Sequence, residues 1–291
     1  MNLQPLVNLR TLVAASAALL LAPTASAGFV TFESAGATPA SITATRDSFR
    51  SAVGGGTSAG GNGSFGGFRR EINWDGVPIP QSDPNPLPAN FFNVNSPRGV
   101  VFSTPGTGFL VSANATSSAP VLFGLSSEFQ AFSAQKLFTA VNSNITDVRF
   151  FVPGTTTAAT TSAFGAIFVD VETAALTNIQ FFDENNLLIF SRDALVAGNR
   201  GLSFVGAVAN AGERISRVRL TSGSNTIVSN GVLGNPNDDI VVMDDFLYAE
   251  PAQIQVVPEP SSLALVALGL LGCLARCRQR RHGAGPKRQG R

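Results

Sequence analysis

Histidine is all but missing from this sequence: the single one, His282, sits among the basic residues of the last stretch. Its absence upstream removes Ser-His-Asp and Cys-His catalysis, and any His-ligated zinc or iron site, from the body of the chain. An enzyme built there would have to work with carboxylates alone. Cysteine is as scarce. Cys273 and Cys277 both fall in or beside an apolar run near the end, so the body has no disulfide and must draw its stability from burial. Positive charge is short as well. Arg10 and the seven basic residues from Arg276 to Arg291 account for eight of the 20 Lys and Arg, leaving 12 between Gly28 and Pro260 against all 19 Asp and Glu, a formal charge of −7. A net acidic body argues against nucleic acid as a partner. No repeat of solenoid or propeller period is visible.

The two ends read as addresses. Arg10 supplies a positive n-region, Thr11 to Ala22 an apolar segment, and Ala25-Ser26-Ala27 a small-residue cleavage site before Gly28, the form of a secretory signal peptide. Residues 1–27 are expected to be removed. At the other end, Val257-Pro258-Glu259-Pro260 is a rigid, solvated element that cannot join a helix or sheet ladder. An uncharged apolar run from Leu263 to Ala275 follows, and then Arg276, Arg278, Arg280 and Arg281, a basic cluster that resists translocation and marks the cytoplasmic side. The run is short against the roughly 20 residues of a typical span, yet it lacks the polar face of a core helix. It reads as a single C-terminal transmembrane helix with its N-terminal end outside. A permanent single-pass anchor is the plain alternative.

This three-part tail, with the Gly/Leu-rich Ala267-Leu268-Gly269-Leu270-Leu271-Gly272 inside it, resembles the PEP-CTERM sorting signal of exported bacterial proteins. The resemblance is confined to the tail. It implies recognition by an exosortase, an integral-membrane Cys protease-transpeptidase that removes the tail near the motif. The implied route runs through the secretion machinery and an inner-membrane intermediate to the cell surface or an exopolysaccharide matrix, as in a biofilm.

Between the ends, residues 28–250 read as one ectodomain, 251–260 as a linker carrying the motif, and 261–291 as membrane segment and basic tail. The 22 Phe, the many Val, Thr, Ser and Gly, and short apolar segments parted by turn residues predict an all-β domain. Strands are expected at 29–32, 100–103, 109–111, 148–152, 167–171, 179–182, 187–190, 202–205, 215–220 and 240–248. Val148, Phe150 and Val152, and likewise Ile167, Val169 and Val171, alternate with period two, which predicts one face in a core and the other in solvent. Two packed antiparallel sheets, a β-sandwich or jelly roll, explain the pattern best. The stretches Gly165–Glu172 and Val241–Phe246 also resemble, more loosely, segments of extracellular jelly-roll modules. One helix is expected over Arg46–Val53, capped by Thr45 and ended by Gly54-Gly55-Gly56. A Gly/Ser-rich loop at 54–67 and a Pro-rich extended stretch at 78–88 should follow.

Two places concentrate unusual residues. The only tryptophan lies in Asn73-Trp74-Asp75, among charges and between turn-rich segments. An exposed indole with Asn and Asp beside it is a kit for stacking on a sugar and bonding its hydroxyls. The same residues fit a Trp that plugs one end of a sandwich while Asp75-Gly76 turns, and this second reading is preferred. The acidic set is Glu33, Asp170, Glu172, Asp238, Asp239, Asp244 and Asp245. Were the first and last strands neighbours, Glu33 could share a structural Ca²⁺ with Asp244 or Asp245, since hard carboxylate oxygens suit that ion. The plain alternative is a solvated face paired with Arg217 and Arg219. The leading functional expectation is a non-catalytic structural or carbohydrate-binding domain. A two-carboxylate glycoside hydrolase or lyase, with Asp170, Glu172 and Asp245 as first candidates, is the alternative.

Overall fold

Runs of Val, Ile and Phe broken by Gly, Pro and Asn leave little room for long helices, and the chain forms antiparallel strands almost throughout. The computed structural model describes residues 28–54, 68–227 and 238–254. The signal segment, nearly all of the Gly/Ser-rich loop and the whole sorting tail lie outside those residues. In chain order the elements begin with β1 (Phe29–Gly36), α1 (Pro39–Val53), β2 (Arg69–Ile72), the single turn α2 (Phe91–Val94), β3 (Val100–Ser103) and β4 (Gly108–Val111). There follow β5 (Phe138–Val141), β6 (Ile145–Phe150), β7 (Ala159–Thr160), β8 (Ala163–Val169), β9 (Asn178–Phe182) and β10 (Leu188–Asp193). The last are β11 (Leu202–Ala209), β12 (Arg217–Thr221), β13 (Val242–Ala249) and β14 (Ala252–Gln253).

One sheet runs β1-β11-β8-β13-β5-β4, with β2 added on β13; the other runs β10-β9-β12-β6-β3. Inward side chains of both sheets make one apolar core, Phe138, Phe164, Phe168 and Phe246 from the first meeting Phe102, Val148, Phe150 and Phe181 from the second. A second core lies on the far side of the first sheet, where Ile42 and Phe49 of α1 and Phe123 and Phe129 of the 121–132 segment cover Ile167, Val169, Leu202 and Phe204. This layer corrects the expected solvent face: β8 is buried at every residue, because Ala166 and Phe168 face the core between the sheets while helix and loop cover Ile167 and Val169 on the other side. The helix itself starts earlier than Thr45, with Thr38 at its cap and Pro39 in its first turn, where a missing N–H and a fixed φ cost nothing.

Phe49 reaches the sheet through a gap that two glycines leave. Gly206 pairs with Gly165 across β11 and β8, and a Cβ on Gly206 would stand 3.0 Å from the Gly165 Cα and 3.1 Å from the Phe49 ring. Gly206→Val is therefore expected to lower stability by about 1–3 kcal/mol through overpacking, read as a lower thermal midpoint. An unchanged midpoint would show that α1 lifts away freely.

At the open sides, the edges of the two sheets are tied together. Glu33 of β1 takes two hydrogen bonds from Arg192 of β10, at 2.5 and 2.6 Å, and Phe102 of β3 packs on Phe109 of β4. The Pro-rich stretch 78–88 is less extended than expected, since Ile79–Gln81 makes a 3₁₀ turn. The ordered fold also runs past 250: β14 pairs with β7 inside the segment expected to be linker. Among the described residues no helix is long and apolar enough to cross a membrane; the apolar run at 263–275 lies outside them.

Candidate functional site

The sugar-binding kit at residues 73–75 is taken apart by the fold. Trp74 is only 1% exposed, so it offers no open face. Its ring stacks on Phe138 at 4.1 Å, takes Phe92 and Phe246 edge-on, and donates from Nε1 to the Asp244 carbonyl at 2.7 Å. Its backbone sits at φ 66°, a region costly for a bulky side chain and held here by the packing around it. Asp75 turns inward, accepting the Lys136 backbone N–H at 3.1 Å. Asn73 stays exposed. The exposed-Trp reading is therefore corrected: Trp74 is a buried core residue.

The same turn nevertheless builds a cleft. Its volume is about 520 Å³, with Trp74, Phe91 and Phe92 behind it, Pro78, Pro80 and Gln81 on one wall, and Asn95, Ser96 and Arg98 on the other. That volume falls in the range of roughly 300–1,000 Å³ usual for ligand pockets. Lys136 braces the first wall from behind: its buried Nζ donates to the Val77 carbonyl and, at 2.9 Å, to Ser82 Oγ. Burial pushes that ammonium below its usual range, partly offset by Asp75. Nothing in the sequence reading pointed to Arg98. A signal was there: it is the only charged residue between Asp83 and Glu128.

The proposed Ca²⁺ set does not assemble. β11 and β8 stand between β1 and β13, and Glu33 pairs in register with Val205, whose side chain points into the core between the sheets. Asp244 and Asp245 face the opposite way. A bulge between Met243 and Phe246 shifts the register of β13, so two successive carboxyls fall on the side of Val242 and Leu247, under α1 and the 121–132 segment. There Asp244 accepts the Phe132 N–H at 2.6 Å, and Ser133 Oγ lies 3.0 Å from Asp244 and 2.8 Å from Asp245. One hydroxyl proton cannot serve both carboxylates. Burial pushes both above the usual carboxyl range, Asp244 well above it with Asp245 beside it. Among the described residues no group of three or more His, Cys, Asp or Glu is placed to hold a metal.

The remaining acidic residues are engaged singly. Asp170 leaves the end of β8 at φ 75° and accepts the Arg200 N–H at 2.7 Å, while burial pushes its carboxyl up to about 7. Asp239 accepts the N–H groups of Glu172 and Thr173. Arg217 and Arg219, expected to pair with this set, clamp Asp147 of β6 instead, at 2.9 and 2.8 Å. None of Asp170, Glu172 and Asp245 lines the cleft.

The strongest functional signal is in the tail. Residues 256–281 match the family profile described as the PEP-CTERM protein-sorting motif. The chain carries a PEP-CTERM motif. That marks an exported protein sorted by an exosortase, and the match takes in Val257, Pro258, Glu259 and Pro260 together with Arg276, Arg278, Arg280 and Arg281. These residues, like Ala25 and Ala27 of the expected signal cleavage site, lie outside the described ones; Gly28 is the first residue described. No curated protein and no solved structure matches the chain.

Proposed function

We propose that this PEP-CTERM protein is a surface or matrix component whose body is a non-catalytic β-sandwich that binds carbohydrate. The observation that carries the reading is the cleft beside Trp74, where the prolyl surfaces of Pro78 and Pro80 meet the amides of Asn73, Gln81 and Asn95, a mixture that suits sugar rings with apolar faces and hydroxyl edges. A binding role rather than catalysis is supported by the lining of the cleft, which includes no Asp or Glu. The expected signal cleavage also has support at its product end. The Gly28 N–H donates to the Glu213 carboxylate and the Asn210 N–H donates to the Gly28 carbonyl, so a new α-ammonium formed there would meet a carboxylate.

Two measurements test the reading. Intact-mass analysis of the native protein after fractionation is expected to give a species starting at Gly28 and lacking everything beyond the Val-Pro-Glu-Pro element; a membrane-bound mass that includes Arg291 would replace processing with a permanent anchor. A glycan array with the purified protein is expected to show binding that weakens about tenfold or more in Asn73→Ala or Asn95→Ala, both exposed side chains. An array blank for every form rejects the carbohydrate role.

A further inference from the structure

Most of the body's cations are spoken for. Arg50 and Arg69 share Glu71, Arg70 pairs with Glu250, Arg192 with Glu33, Arg214 with Glu184, and Arg217 and Arg219 with Asp147. Arg98 is different. Among the described residues no carboxylate lies in ion-pair reach of its guanidinium, which donates instead to neutral acceptors, the Glu71 carbonyl and Ser96 Oγ, the latter at 3.2 Å. The group lies 5.9 Å from the Phe92 ring centre, and its carbonyl accepts the Tyr248 hydroxyl at 3.0 Å. Its backbone and one edge are therefore fixed.

A partly buried cation with no carboxylate in direct contact is costly, and burial pushes this guanidinium below its usual range, the charges of Arg70 and Glu71 acting on it in opposite senses. The body has a formal charge of −7, yet no carboxylate of the described residues is in ion-pair contact with Arg98. Three amides share the cleft, those of Asn73, Gln81 and Asn95. None of them donates or accepts a side-chain hydrogen bond within the described protein, whereas Asn93 nearby bonds Thr155 and Gly154. The cleft thus holds one guanidinium with no carboxylate in contact, three uncommitted amides and apolar lining residues.

We propose that this cleft binds a sugar unit bearing a single carboxylate, the Arg98 guanidinium pairing the carboxylate while the amides of Asn73, Gln81 and Asn95 bond the ring hydroxyls. The inference rests on the carbohydrate reading above and narrows it to uronic-acid-type residues. Guanidinium and carboxylate match as a two-pronged pair, and a single cleft-lining cation in an acidic body suits a sparsely charged glycan better than a dense polyanion. A dense polyanion would be repelled by the surrounding surface.

Trp74, the only tryptophan, stands behind the cleft and makes intrinsic fluorescence a local reporter. The experiment titrates the purified full chain with a glucuronic-acid-containing disaccharide and with the same disaccharide after its carboxylate has been reduced to the alcohol. The acidic sugar is expected to change Trp74 emission saturably and to bind at least tenfold more tightly than the reduced one. Asn95→Glu places a carboxylate at an exposed position of the mouth, where it can take the guanidinium; it is expected to weaken acidic-sugar binding at least tenfold with an unchanged melt. Arg98→Lys, which keeps the charge, should retain part of the binding that Arg98→Gln loses. Equal binding of both sugars, indifferent to Asn95→Glu, overturns the carboxylate assignment and leaves the carbohydrate reading standing. No binding of either sugar overturns the assignment too, and the glycan array then decides the broader reading by itself.

Discussion

Replacing Trp74 with alanine is expected to lower stability by about 3–5 kcal/mol, a large share of the roughly 5–15 kcal/mol that holds a typical domain together. The reason is position in the core more than size. The indole is flanked by Phe92, Phe102, Phe138 and Phe246, which come from α2, β3, β5 and β13, so one truncation loosens both sheets at one end. It also orphans the Asp244 carbonyl that Nε1 satisfies. Some strain is returned, since alanine tolerates φ 66° better than tryptophan does, but by less than the packing lost. Urea unfolding followed by circular dichroism measures the change; a loss below about 1 kcal/mol would mean that the aromatic cluster repacks. A consequence for binding work is that Trp74→Ala reports on folding, which is why the cleft is tested through its exposed amides.

Stability should fall as the solution is made less acidic, the reverse of ordinary acid denaturation. Asp170, Asp244 and Asp245 all have folded-state carboxyls held above the ordinary value of 3.8, so above that pH these three groups hold more protons in the folded protein than in the unfolded chain, while the lowered carboxyls Glu33, Asp147 and Glu213 act toward lower pH. A raised folded pKa contributes stability that is fully present below the unfolded value and is lost as pH climbs through the folded one. For Asp170 that window runs from 3.8 to about 7. Its full slope of about 1.4 kcal/mol per pH unit is reduced by solvent screening, leaving roughly 2 kcal/mol across the window. For Asp244 and Asp245 the loss continues as the shared proton leaves, with Arg46 of α1 and Glu71 of β2 as the nearest outside charges. Asp170→Asn suits the left-handed backbone at that position, and Asp244→Asn keeps an acceptor for the Phe132 N–H. Each is expected to flatten the fall in thermal midpoint between pH 4 and neutrality or above. A wild-type midpoint that rises steadily over that range defeats the prediction.

How much of this was legible in the sequence depends on what each residue's neighbours add. Val148 and Phe150 alternate with the outward Arg149, and β6 behaves as its pattern says, one side in the core and one out. Ile167 and Val169 alternate in the same way, yet their neighbours Ala166 and Phe168 are buried too: these two face the core between the sheets, and a helix and loop distant in sequence cover Ile167 and Val169 on the outer side. No local pattern encodes that cover. The start of α1 was missed for a local reason: the β-branched residues Ile42, Thr43 and Thr45 weaken the helical signal, and Thr38-Pro39 was the better start mark. The site divides likewise. The tail was readable because its chemistry is linear, whereas the cleft depends on the turn at Trp74 meeting Asn95–Arg98. The paired aspartates owe their common side to a bulge, which shows in the strand register and in no spacing of residues.

The shortest strand has a mechanical consequence. β14 holds on to β7 through two residues, both exposed, and Val257 comes only four residues after Gln253. Even fully extended, those residues reach about 14 Å. An enzyme that cuts near this motif must therefore work close to a folded, negatively charged globule. The two-residue zipper is the natural slack in that tether, and peeling it away lengthens the leash without disturbing either core.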